Sequence, residues 1–168
     1  MKKLIITCVI AMLSFTAMTQ DREVSGSRIN GETINPDGII LVYVEGTGSG
    51  IMDIPGFYIG KYEVTQAQWQ YIMGRNPSKI KDEGLPVSNV SWNEVQEFIT
   101  LLNIATGKNY RLPTDTEWMF AARGGISSKG FQYSGSNNIR DVGWYKKNTK
   151  KSPQAGGQRR PMSLAFMI

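Results

Sequence analysis

The sequence predicts an α+β fold of short helices with small antiparallel sheets and much irregular chain, on three observations. Glycine is abundant, with 18 residues in 168, and seven prolines punctuate the chain, which favours short elements joined by turns over a long helical bundle. Two early runs, IILVYVEG (39–46) and GFYIGKYEVT (56–65), are β-branched or aromatic and read as strands. Three S/T-x-x-E/Q boxes, Thr65 with Gln68, Ser91 with Glu94 and Thr114 with Glu117, announce three helix starts. Four Trp, seven Tyr and six Phe can fill a core, so the chain is globular.

Taken in order, the first segment, MKKLIITCVIAMLSFTAMTQ, has two lysines, an apolar run from Leu4 to Leu13 and small residues about Ala17 and Thr19. That pattern is an export signal over 1–19, too short and poorly flanked to span a membrane. The expected product is exported, whether periplasmic, surface-held or extracellular, with no membrane contact once the signal is cleaved. Residues 20–38 are polar and turn-rich and read as a flexible lead-in to a domain over 39–168.

Within that domain, GTGSG (46–50) has the glycines of a phosphate loop but no Lys-Ser/Thr pair, and reads as a hairpin connection. The first helix is predicted over 66–73, stopped by Gly74. The second spans 92–105 with Val95, Phe98, Ile99 and Leu102 as one buried stripe, ended by Gly107. A third runs over 115–123 and stops at Gly124-Gly125, where a left-handed residue can close the last turn. Beyond it, one strand-like piece is expected at Phe131–Tyr133, then a basic loop, then the apolar MSLAFMI. A chain entering an apolar segment and stopping there is expected to be incomplete at its C-terminus.

Composition narrows the chemistry. Cys8, inside the expected signal, is the one cysteine, and there is no histidine. After cleavage no disulfide, no Cys or Ser–His nucleophile pair and no thiolate or imidazole site for zinc, copper or iron can form. Net charge is +5, concentrated late at Arg140, Lys146, Lys147, Lys150, Lys151, Arg159 and Arg160. Trp144 and Tyr145 there are one adjacent pair rather than a spaced stacking platform, so a solvated loop is expected and not a nucleic-acid surface.

FYIGKYEVTQAQW, NPS, LPVSNVSWNEVQEF, TGKNYRLPTDTEWMFAARGG, YSGSNNIRDVGWY and GQRRPMSL follow one another in the order and spacing of the formylglycine-generating enzyme, or sulfatase-modifying factor, family. The resemblance covers about residues 39–165. It implies an elaborated C-type-lectin-like fold and, for the type members, oxidation of a sulfatase cysteine to formylglycine by copper held on two cysteines, with structural calcium. A protein or peptide partner is implied with it. The segment that carries those cysteines in the family lies beyond PMSLAF, so the expectation is a domain without catalytic, cofactor-binding or metal residues. Met162 and Ala165 depart from the family's usual Asn and Gly. Gly143 beside Trp144 offers no side-chain oxygen for calcium, so that site is expected to be incomplete. An inactive oxidase relative is one expectation, and a secreted non-catalytic binding or structural module is the other.

The matching residues are therefore expected to be scaffold: Trp92, Arg111, Pro113, Glu117, Trp118, Arg123 and Gly124. Trp69, Trp92 and Trp118 are assigned to the core. Arg111 and Arg123 are assigned to buried pairing, with Glu117 or Glu63 as partners. Asn137, Asn138 and Asp141 are assigned to a polar turn rather than an ion site.

Overall fold

Three helices form where the capping boxes place them. In the computed structural model, α1 (Gln66–Met73), α2 (Trp92–Thr106) and α3 (Asp115–Ala122) each follow a Thr or Ser whose hydroxyl accepts from the third amide, and whose backbone N–H the Gln or Glu side chain accepts in return. Gly74 and Gly107 end the first two with φ of 71° and 65°. Gly124 and Gly125 follow α3 at φ 99° and 58°, left-handed conformations that a side chain resists. A 3-10 turn over Gly125–Ser127 and a four-residue helix, α4 (Ile139–Val142), follow. The structure describes residues 38–48, 53–145, 147–149, 153–156 and 158, and the backbone of three strand segments at 11–12, 28–29 and 32–34.

Among the described residues, six strands form one sheet: β1 (Ala11–Met12), β2 (Arg28–Ile29), β3 (Glu32–Ile34), β4 (Ile40–Val44), β5 (Phe57–Gly60) and β6 (Tyr110–Arg111). Their order is β2-β3-β4-β5-β1-β6, and every neighbouring pair is antiparallel. β4 and β5 are the expected hairpin, closed by Thr47 N–H to the Ile54 carbonyl at 3.0 Å and by Ile54 N–H to Thr47 Oγ1 at 2.9 Å. β2 and β3 extend it from within the polar 20–38 segment, a pairing its composition does not signal. β1 falls inside the expected export signal. The strand expected at Phe131–Tyr133 is corrected to a turn: it contributes one isolated bridge, Tyr133 with Ser136. Its amides bond to local side chains instead, Gln132 N–H donating to Asn137 Oδ1.

Alternation along the strands divides the interior in two. Ile39, Leu41 and Tyr110 pack with Trp69, Val95, Phe98, Ile99 and Leu102 under α1 and α2. Trp69 and Phe98 stack at 4.9 Å with 4° between their planes. Val44, Phe57 and Ile59 face the other way and pack with Ala121 and Ala122 of α3, flanked by Trp118 and Phe120. Trp92 corrects the core assignment made for all three tryptophans: it is 56% exposed at the first position of α2, one turn before the buried stripe begins at Val95.

Candidate functional site

Arg111 and Glu117 meet because β6 and α3 are joined by a short turn. β6 ends at Arg111, Leu112-Pro113 turns the chain, and Thr114 caps α3 so that Glu117 lies one helical turn in. Arg111 then donates from both guanidinium nitrogens, to Glu117 Oε2 at 2.7 Å and Oε1 at 2.6 Å, in a bidentate pair. Thr114 adds its N–H at 2.8 Å and its hydroxyl at 3.1 Å to Oε2. Arg111 also donates to the Leu112 carbonyl at 3.0 Å, tying the turn to the same cluster.

The Arg111 hydrogen bonds hold the Glu117 carboxyl below its ordinary range against the opposing effect of burial, with Thr114 adding to them. In return Glu117 holds Arg111 more firmly protonated. A carboxylate that is ionised, with both oxygens occupied by donors, is a poor general acid or base. This cluster locks β6 to α3. Pro113 is half-buried in the turn and Gly124 is buried behind α3, while Trp118 flanks the apolar cluster on that side. Arg123 corrects its assignment to buried pairing: at the C-cap of α3 it is exposed, one residue past the face that carries Ala121 and Ala122.

Sequence reasoning missed a second copy of the same device. Arg75, after α1, donates to Glu94 Oε1 at 2.6 Å, while the Ser91 N–H and hydroxyl each bond Oε2 at 2.7 Å. With the Arg75 hydrogen bond first and Ser91 second, the Glu94 carboxyl falls from 4.5 to about 2. The capping box was visible in the sequence; the arginine, nineteen residues away, was not. Also missed was buried Gln66, which donates to the Ile80 carbonyl at 3.0 Å and accepts from Asn76 Nδ2 at 2.8 Å and Asp82 N–H at 3.2 Å. The signal was the Asn76-Pro77-Ser78 turn, where Asn76 Oδ1 accepts the Ser78 N–H at 3.0 Å.

A cavity of about 200 Å³ opens beside this frame, where the start of β4, the end of β5 and the cap of α1 converge. Tyr62, Glu63, Thr65, Gln68 and Pro86 line it, and Gly156 closes one side. Gln68 braces its wall by donating to the Gly38 carbonyl at 2.9 Å. Near α4, Ser136 donates to Asp141 Oδ2 at 3.0 Å, and the Asn137 and Asn138 side-chain oxygens accept the amides of Gln132 and Arg140. Those oxygens serve as turn acceptors, the arrangement expected of a polar turn. Of copper's usual soft or imidazole donors, this sequence holds no imidazole, the single thiol of Cys8 and eight methionine thioethers.

The family model described as sulfatase-modifying factor enzyme 1-like domain matches residues 47–163. The chaperone protein LppX of Paenibacillus barcinonensis is 39% identical over 133 residues, covering 60% of this chain and 48% of that protein. The formylglycine-generating enzymes of Mus musculus and Bos taurus are 34% and 33% identical over 70 residues, 42% of this chain and 17% of each enzyme. The chain thus spans about half the length of the first relative and far less of the other two. Two solved structures share the fold at 21% identity: Treponema denticola variable protein 1, with a TM-score of 0.66 over 77% of this chain and 68% of that one, and CarF, at 0.64 over 78% and 76%.

Proposed function

The chain belongs to the family of sulfatase-modifying factor enzyme 1-like domains, and from that premise we propose that it is an exported domain that binds a polypeptide without oxidising it. The observation that carries this reading is the donor deficit: these residues contain no imidazole, and their single thiol lies in the expected leader. The residues that match the family build packing and caps. Arg111 and Glu117 neutralise each other, and no acid–base pair is left poised between them.

A relative whose name is chaperone protein supports a binding role over an oxidative one. So does the surface, where Tyr43 and Tyr58 lie against each other at 5.1 Å on the outer part of the sheet and Tyr71 and Trp92 stand clear of the core. Exposed aromatic rings of this kind supply apolar contact at little entropic cost to an extended chain. The leader, MKKLIITCVIAML, supports export.

The test uses the protein recovered after export. Light scattering of a chemically unfolded polypeptide, diluted into buffer with equimolar protein, should rise more slowly than without it, and adding copper should change nothing. Unchanged scattering would remove the binding reading. Copper-dependent change would remove the claim that metal plays no part.

A further inference from the structure

We propose that Tyr43 and Tyr58 form an oxidative modification site, at which a peroxide-driven one-electron oxidant joins the two rings in a dityrosine bond across β4 and β5. The inference goes beyond polypeptide binding and rests neither on that reading nor on export.

Register sets the two residues directly opposite each other. Lys61 N–H donates to the Ile40 carbonyl at 2.8 Å, so the hydrogen-bonded pairs alternate from there at Ile40 with Lys61, Val42 with Ile59 and Val44 with Phe57. Tyr43 and Tyr58 therefore fall on a non-hydrogen-bonded pair, where opposed Cα atoms are about 4.5 Å apart and side chains stand closest. Their ring centroids lie 5.1 Å apart with 55° between the planes, a separation at which ring edges touch. One ring is also seated. A Cβ on Gly56 would meet the Tyr43 hydroxyl and lie 2.9 Å from its Cζ, so the phenol crosses bare backbone there. Both rings remain open to a reagent, Tyr43 at 52% and Tyr58 at 41% exposed.

The chemistry balances without a metal on this chain. Each phenol gives one electron and its hydroxyl proton to the oxidant, leaving a phenoxyl radical whose unpaired electron is shared with the ring carbons beside the oxygen. A carbon–carbon bond forms between one such carbon on each ring. The hydrogens on those two carbons leave as protons and the two oxygens are protonated again, restoring both phenols. Net, two C–H bonds break, one C–C bond forms, and two electrons and two protons reduce one hydrogen peroxide to two waters. Contact decides which partner a radical finds. Even at a diffusion limit of about 10⁹ M⁻¹s⁻¹, two copies at about 1 μM meet only about a thousand times a second. Exposed side chains reorient in picoseconds to nanoseconds, so two oxidised rings already in contact couple first. With one cysteine in the sequence, no disulfide can close within this chain, whereas this bond can.

The test treats the full chain, at micromolar concentration, with hydrogen peroxide and a haem peroxidase. The expected product is a monomer lighter by two hydrogen atoms, with dityrosine fluorescence and one crosslinked peptide pair that contains Tyr43 and Tyr58. Tyr43→Phe and Tyr58→Phe keep the ring and remove the phenol, and each should lower the yield of that monomer about tenfold or more. Tyr71 supplies the internal comparison, since it is 79% exposed and has no ring partner among the described residues. Dimers joined through Tyr71 as the main product would show that exposure and not contact governs the coupling. Absence of dityrosine would show that the opposed rings do not reach each other, and either result overturns the proposal. Because the mass and the peptide map are read on the unsubstituted protein, a variant that fails to fold leaves the outcome decided.

Discussion

Arg111 and Glu117 share one role with Arg75 and Glu94: each glutamate closes a capping box with one oxygen and takes an arginine on the other, Glu117 on both, so one side chain starts a helix and anchors it to a second element. Glu117→Ala removes charge-assisted bonds from a largely buried site and should cost about 2 kcal/mol in urea unfolding. Glu94→Ala, whose Arg75 partner is half exposed, should cost about 1 kcal/mol or less. Both carboxyls are held below their ordinary values in the folded chain, so the unfolded chain binds protons first as pH falls. Their stabilisation is complete above about pH 4.5 and drains away as pH falls through the folded values, toward about 2 for Glu94. Melting temperature should decline across that window, and Glu94→Gln should flatten the decline; a slope unchanged by the substitution would show that the pair contributes nothing to it.

Helices were the most legible elements, because each begins and ends on local chemistry: a hydroxyl, a returning Gln or Glu, a glycine stop. Thr114→Ala and Ser91→Ala should each lose about 1 kcal/mol, read by chemical denaturation. The hairpin gives a sharper contrast. An alanine Cβ at Gly46 would run into the Ile54 carbonyl oxygen and the Gly56 backbone nitrogen, whereas at Gly56 it would meet the hydroxyl end of the exposed Tyr43 side chain. Gly46→Ala should therefore destabilise clearly more than Gly56→Ala, since a side chain can swing away and a backbone cannot. Elements that depend on distant partners were not legible. The 28–34 pairing hides in polar sequence, β1 hides in an apolar run that reads as a leader, and Trp92 shows that a ring in line with a buried stripe can still stand clear of the core at a helix start.

At the scale of the whole molecule, the sheet carries one apolar cluster on each face, joined through β4, β5 and β6. Fluorescence of Trp69 on one side and Trp118 on the other, isolated by replacing the other tryptophans with Phe, should report coincident urea transitions. The same frame explains how far function could be read. The matching residues Arg111, Pro113, Glu117 and Gly124 are those that hold turns and caps, so their presence identifies the fold family. What bears on chemistry is the residue count, a sequence with no imidazole and one thiol. The most direct measurement is incubation of the exported protein with a cysteine-containing sulfatase peptide, copper and oxygen, followed by mass spectrometry of the peptide. An unchanged peptide mass is the result predicted here; conversion of the cysteine to the aldehyde would contradict it.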